Sequence, residues 1–98
     1  MKKLEQFKES IKPNTSPDAG LSLELKAMWY EKAGNWDKAH DLCNEIGGKR
    51  GDWVHAYLHR VEGDQWNAGY WYDRAGEKMP AHISLEQEWD DMVSQFLE

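Results

Sequence analysis

Residues 53–76 read WVHAYLHRVEGDQWNAGYWYDRAG, and two apolar rhythms in this stretch decide the fold. Val54, Tyr57, Leu58 and Val61 recur at i, i+3, i+4 and i+7, the spacing of one face of an α-helix. Gly63-Asp64 interrupts the rhythm, which resumes with Ala68, Trp71, Tyr72 and Ala75 along a face of a second helix. Two helices joined by a short Gly-containing turn make an antiparallel hairpin. The arrangement echoes 29 residues earlier (Gly34 against Gly63), where Gly34-Asn35 precedes Ala39 as Gly63-Asp64 precedes Ala68. A period of about 20–50 residues built of helix, turn and helix is the signature of stacked helical hairpins.

Working outward, the pattern predicts six helices and no strand, an all-α fold. A first helix over Lys3–Ile11 aligns Leu4, Phe7 and Ile11, and residues 12–20 (KPNTSPDAG) form a turn-rich linker. The second helix, Leu21–Ala33, is apolar on two sides, with Leu21, Leu25, Met28 and Trp29 opposite Leu23, Ala27 and Tyr30. A helix of that kind is sandwiched between neighbours. Trp36–Ile46 follows, then a turn at Gly47–Gly51, then the helix Asp52–Glu62. Pro80 blocks continuation of the fifth helix. Ser84 with Gln87 has capping-box spacing and opens a last helix striped by Leu85, Trp89, Met92, Val93 and Phe96. That stripe is expected to dock as a cap on the outer face of the fifth helix, against Trp66, Gly69 and Tyr70. Glu86, Glu88, Asp90 and Asp91 then form the solvated side of the last helix. The organisation expected is one domain over 1–98, with an N-terminal helix (1–12), two hairpin units (21–80) and a capping helix (84–97).

The run Ala68-x3-Tyr72-x2-Ala75-x4-Pro80 resembles the second half of a tetratricopeptide repeat, and Val54, Tyr57, Leu58 and Val61 match that repeat's first helix. The earlier unit, with Leu25, Met28, Trp29, Ala39, Cys43 and Ile46, is similar in outline. The period here is shorter than the family's roughly 34 residues, so the likeness is tetratricopeptide-like. It implies an array that presents a surface to a protein or peptide. Residues 53–76 are also similar to a stretch in a group of small bacterial proteins of uncharacterised activity, a likeness that implies no chemistry.

Composition narrows the partners. Net charge is −6, and the bases are scattered instead of gathered on one face, which argues against nucleic acid and anionic membrane. Cys43 is the only cysteine, so no internal disulfide forms and a reducing, cytoplasmic setting fits. MKKLEQFKES has the charges of a signal peptide without its apolar core, and no stretch approaches the ~20 apolar residues of a membrane span. All four Tyr and five of the six Trp lie between Trp29 and Tyr72, which places the hydrophobic centre there. Such aromatic wealth is compatible with a homodimer.

No paired carboxylates, Ser/His/Asp pattern or nucleotide motif points to catalysis, so the chain reads as a binding protein needing no cofactor. The expected function is protein or peptide binding, through Tyr30, His55, His59, Trp66 and Tyr70. Cys43, on a buried stripe, lacks the exposure and electropositive neighbour of a nucleophile. The alternative is a small-ligand or divalent-metal site. His55 and His59, at i and i+4, share a helix flank beside Glu62, and two imidazoles so spaced can hold one ion with a carboxylate as third ligand. His40, at the edge of its own helix, joins that set if it leans towards His55. The inserted glutamate of H-E-x-x-H is missing, and a tightly bound ion is not expected.

Overall fold

The computed structural model describes residues 2–98 and consists there of six helices without a strand: α1 (Lys2–Ile11), α2 (Leu23–Lys32), α3 (Trp36–Ile46), α4 (Gly48–Val61), α5 (Gln65–Ala75) and α6 (Leu85–Phe96). Four of these helices start on a side-chain oxygen that accepts from an otherwise unpaired N–H of the first turn. These caps are Ser22, Asn35, Asp64 and Ser84. Gly34 and Gly63 end α2 and α4 at φ of +95° and +85°, conformations that a Cβ would disfavour. None of the described helices is long and apolar enough to cross a membrane.

α4 is the central element, packed against α2, α3, α5 and α6. Its stripe is wider than the sequence spacing indicates: Trp53, Val54, His55, Ala56, Tyr57 and Leu58 are all buried. The helix also begins four residues earlier than Asp52. The expected turn at Gly47–Gly51 contracts to Gly47 and Gly48, both at positive φ, and Gly51 lies inside the helix. A Cβ at Gly51 would come within 3.1 Å of the Cys43 carbonyl, so glycine here serves close approach of α3 and α4. α2 also starts later than expected, because Leu21 precedes its Ser22 cap.

The last helix does not cover α5. α6 packs on α1, α2 and α4, seating the fully buried Trp89 against Phe7 and donating its Nε1–H to the Met28 carbonyl at 3.1 Å. α2 offers the larger apolar surface, with Leu25, Met28 and Trp29 buried, whereas the outer face of α5 is interrupted by Gly69 and Asp73. The side of α2 that carries Met28 finds its cover this way, and Trp66 and Tyr70 stay 81% and 48% exposed. Leu85, at the start of the stripe, is left largely exposed.

Glu88 corrects the reading of α6's acids as solvated. It is buried, and its carboxylate accepts from Tyr72 Oη (2.7 and 2.8 Å), Arg60 Nη1 (2.7 Å) and Trp53 Nε1 (3.3 Å). Arg60 also donates to the Ile83 carbonyl at 2.6 Å. A buried charge is tolerated when paired and hydrogen-bonded in this way. Its burial holds the Tyr72 hydroxyl in the neutral form, with desolvation and the Glu88 hydrogen bond both raising its pKa.

Candidate histidine–tryptophan site

Packing of α3 on α4 brings together histidines that stand 15 and 19 residues apart (40 against 55 and 59). Trp36 fixes the register by donating its Nε1–H to the Leu58 carbonyl at 2.8 Å, tying the first turn of α3 to the end of α4. His40, one turn on, stacks against Trp36 with ring centres 4.9 Å apart. His40 then meets both α4 histidines edge-on, His55 at 4.8 Å and His59 at 5.6 Å. His55 and His59 lie parallel, 6.2 Å apart. From the other side, Trp71 of α5 stacks on His55 at 4.1 Å. The cluster is therefore three imidazoles between two indoles.

This position explains Trp71, which the α5 stripe assigns to the core with Ala68, Tyr72 and Ala75. The other three are buried, whereas Trp71 is only partly so and spends its face on His55.

His55 is 6% exposed. Burial, reinforced by the neighbouring His40 and His59, pushes its pKa down to about 4, against a smaller opposing pull from Asp52. Its imidazole is thus neutral at physiological pH, the form that binds metals. His59 Nδ1 pairs with Glu62 Oε2 at 2.8 Å, the one hydrogen bond of a histidine ring among the described residues. The ring nitrogens of His40 and His55 consequently lack a protein partner.

A tighter set of donor atoms lies alongside: His59, Glu62 and Asp64 each place one within 4.8 Å of the others. Asp64 was not singled out in the sequence. Its oxygens are already committed, accepting from the Asn67 backbone (3.2 Å) and Asn67 Nδ2 (2.6 Å), and these bonds lower its pKa. Glu62 is committed to His59. That set satisfies itself, whereas the ring nitrogens of His40 and His55 are not engaged by other side chains.

The residues expected to form one partner-binding face are spread over three places. His55 is enclosed and His59 adjoins it. Tyr30 lines a separate cavity of about 490 Å³ with Ile11, Lys12, Trp29 and Asn35, and Lys38 Nζ lies 5.4 Å from its ring centre. Trp66 and Tyr70 stand on the outer face of α5. A further cavity of about 310 Å³ opens beside Glu88 and Trp53, walled by Glu77, Lys78 and Asp91. No histidine of the cluster lines either cavity.

Comparison of the chain with protein-family models, with curated proteins and with solved structures gives no match.

Proposed function

We propose that the chain binds one divalent transition-metal ion between α3 and α4, through His40, His55 and His59. The observation that carries this reading is the clustering of three imidazole rings, two of them with no side-chain hydrogen bond to the rest of the protein. An imidazole bound through one nitrogen at about 2.1 Å holds its ring centre about 3.2 Å from the metal, so three rings in a tetrahedral array stand about 5 Å apart. The rings here are 4.8, 5.6 and 6.2 Å apart. As they stand, the ring nitrogens of the three are not gathered within 4.8 Å of one another. Binding requires rotation about χ2, a broad torsion in histidine, to aim them at a shared point.

Glu62 has the role of an orienting residue. By taking the Nδ1–H of His59 it leaves Nε2 as the donor, the arrangement that outer carboxylates impose on metal-binding histidines. A ligand set of imidazoles selects zinc, nickel, copper or iron over magnesium and calcium. Three protein ligands leave one position for water or a small anion. A point ion suits the cluster better than an organic molecule, since two indoles flank it closely, Trp36 at 4.9 Å from His40 and Trp71 at 4.1 Å from His55.

Partner binding draws its support from Trp66 and Tyr70 alone, since His55 is enclosed and Tyr30 lies apart.

The test is calorimetric titration of untagged, metal-stripped protein with Zn²⁺ and with Co²⁺, whose visible absorption reports its geometry. One ion per chain is expected, with affinity lost in His40→Ala and His55→Ala and kept in His82→Ala, which removes the histidine outside the cluster. Absence of saturable binding, or binding that survives the His40→Ala/His55→Ala double variant, overturns the proposal.

A further inference from the structure

The outer face of α5 carries a stripe with a direction to it. Trp66, Tyr70 and Arg74 follow at i, i+4 and i+8, two exposed aromatics towards the N-terminal end and a cation towards the C-terminal end. Arg74, half-exposed, already leans over the rings of Trp71 and Tyr70, its guanidinium 5.2 and 5.8 Å from their centres. Asp52 Oδ2 lies 3.7 Å from its Nε, so it would turn outward from these contacts to meet a partner. Beside Tyr70 stands Gly69, in the middle of the helix, where glycine is unfavourable relative to alanine. Nothing within the molecule accounts for it: its φ is ordinary, and a Cβ built there would meet no atom within 4 Å. A glycine whose missing side chain faces open space gives room to something outside the chain.

We infer that this face pairs with the same face of a second copy, α5 against α5, antiparallel about a two-fold axis at Tyr70. Trp66 and Arg74 lie four residues to either side of that axis, so each copy sets its Trp66 indole under the other's Arg74 guanidinium. Indole is the best ring for a cation–π contact, and guanidinium the cation most often found over it. Tyr70 meets Tyr70 at the centre, and the open space at Gly69 leaves room beside it for the partner's side chains. Both halves of the contact are present on one helix and a two-fold axis satisfies them simultaneously, as an isologous interface requires. An unrelated partner would have to bring its own cation to Trp66 and its own aromatic to Arg74.

The four aromatics cover roughly 400–600 Å² between them, which places the pairing among small, concentration-dependent interfaces. Trp, Tyr and Arg are also the residues that dominate interface energetics.

Sedimentation equilibrium of the full chain over a range of concentrations tests the inference. A reversible monomer–dimer equilibrium is expected. Trp66→Ala should raise the dimer dissociation constant about 30-fold, the loss typical of a central aromatic anchor. Arg74→Glu, which sets an anion over the partner's indole, should weaken it similarly. Trp66 is largely exposed, so circular dichroism of Trp66→Ala should match the parent and exclude misfolding as the cause. A parent chain still monomeric at about 1 mM, where even a weak specific association is populated, overturns the inference. So does a dimer that Trp66→Ala leaves at full strength.

Discussion

Trp71 lies flat on His55, ring centres 4.1 Å apart and planes 16° from parallel, so the largest side chain of α5's inner edge packs at the margin of the core and spends one face on an imidazole. Trp89, by contrast, is fully enclosed and hydrogen-bonded to α2. Trp89→Ala is therefore expected to cost about 3–5 kcal/mol, the scale of a deleted buried indole. Trp71→Ala should cost about 1–2 kcal/mol, from the lost stack and partial burial. Urea unfolding of the two variants ranks them, and equal losses would mean that Trp71 is as deeply embedded as Trp89.

Among the described residues Glu88 is the only anion on Arg60, and the pair is enclosed, with side-chain exposures of 3% and 17%. Removing one member strands the other, so Glu88→Ala should cost about 3–5 kcal/mol. Arg60→Ala/Glu88→Ala should lose less than the sum of the singles, because neither charge is then left alone. Additive losses in a double-mutant cycle would show that the two groups are not coupled.

Glu31 makes the opposite prediction. One of its oxygens is buried without a partner, and burial raises its pKa above the ordinary carboxylate value, an effect that Lys32 and Tyr57 only partly offset. The folded chain thus holds the proton more tightly than the unfolded one, and protonation of this group stabilises the fold as pH falls through that window. Glutamine mimics the protonated form permanently. Glu31→Gln should raise stability at neutral pH by about 1 kcal/mol, the cost of one buried polar atom left unpaired. The advantage should vanish in acid, where the parent is protonated too. Melting temperatures across pH decide it, and a destabilised Glu31→Gln variant at neutral pH would contradict the assignment.

Cys43 should be inert while the chain is folded. It is 2% exposed, its Sγ–H points at the Ala39 carbonyl at 3.6 Å, and burial pushes the thiol pKa up to about 12. Only the thiolate reacts with disulfide reagents. Labelling by Ellman's reagent at mildly alkaline pH should proceed at the rate of unfolding and become fast in denaturant. Prompt reaction of the native protein would show that α3 sits less tightly on α4.

What the sequence made legible was whatever depends on neighbours a few residues away. The turns at Gly34-Asn35 and Gly63-Asp64 and the cap at Ser84 are legible because each acts on helix residues next to it in the chain. The stripe of α6 was legible for the same reason, but its berth was not, since α2 and α5 both offered apolar surface and only packing chooses between them. Glu88 was hidden because a charge one position before Trp89 looks solvated until Tyr72, Arg60 and Trp53 arrive from two other helices. Gly51 read as turn because its close approach to Cys43 is a property of the α3–α4 crossing. The histidine pair of α4 was visible at i and i+4. The addition of His40 waited on Trp36, whose bond to Leu58 sets how far α3 slides along α4.

The two hairpin turns are wired alike. Asn35 donates its N–H to the Tyr30 carbonyl at 2.8 Å, and Asp64 donates to that of His59 at 2.9 Å. The side chains of Asn35 and Asp64 then accept from Lys38 and Asn67. A part joined the same way twice can be copied a third time, since a further hairpin spliced between Ile46 and Gly48 would ask nothing new of either turn. α6 permits no such freedom. Trp89 is fitted to one carbonyl of α2 and Glu88 to one arginine of α4, so a lengthened array would carry its terminal helix away from both. The reach of this chain is set by its last helix, and the hairpins set only its grain.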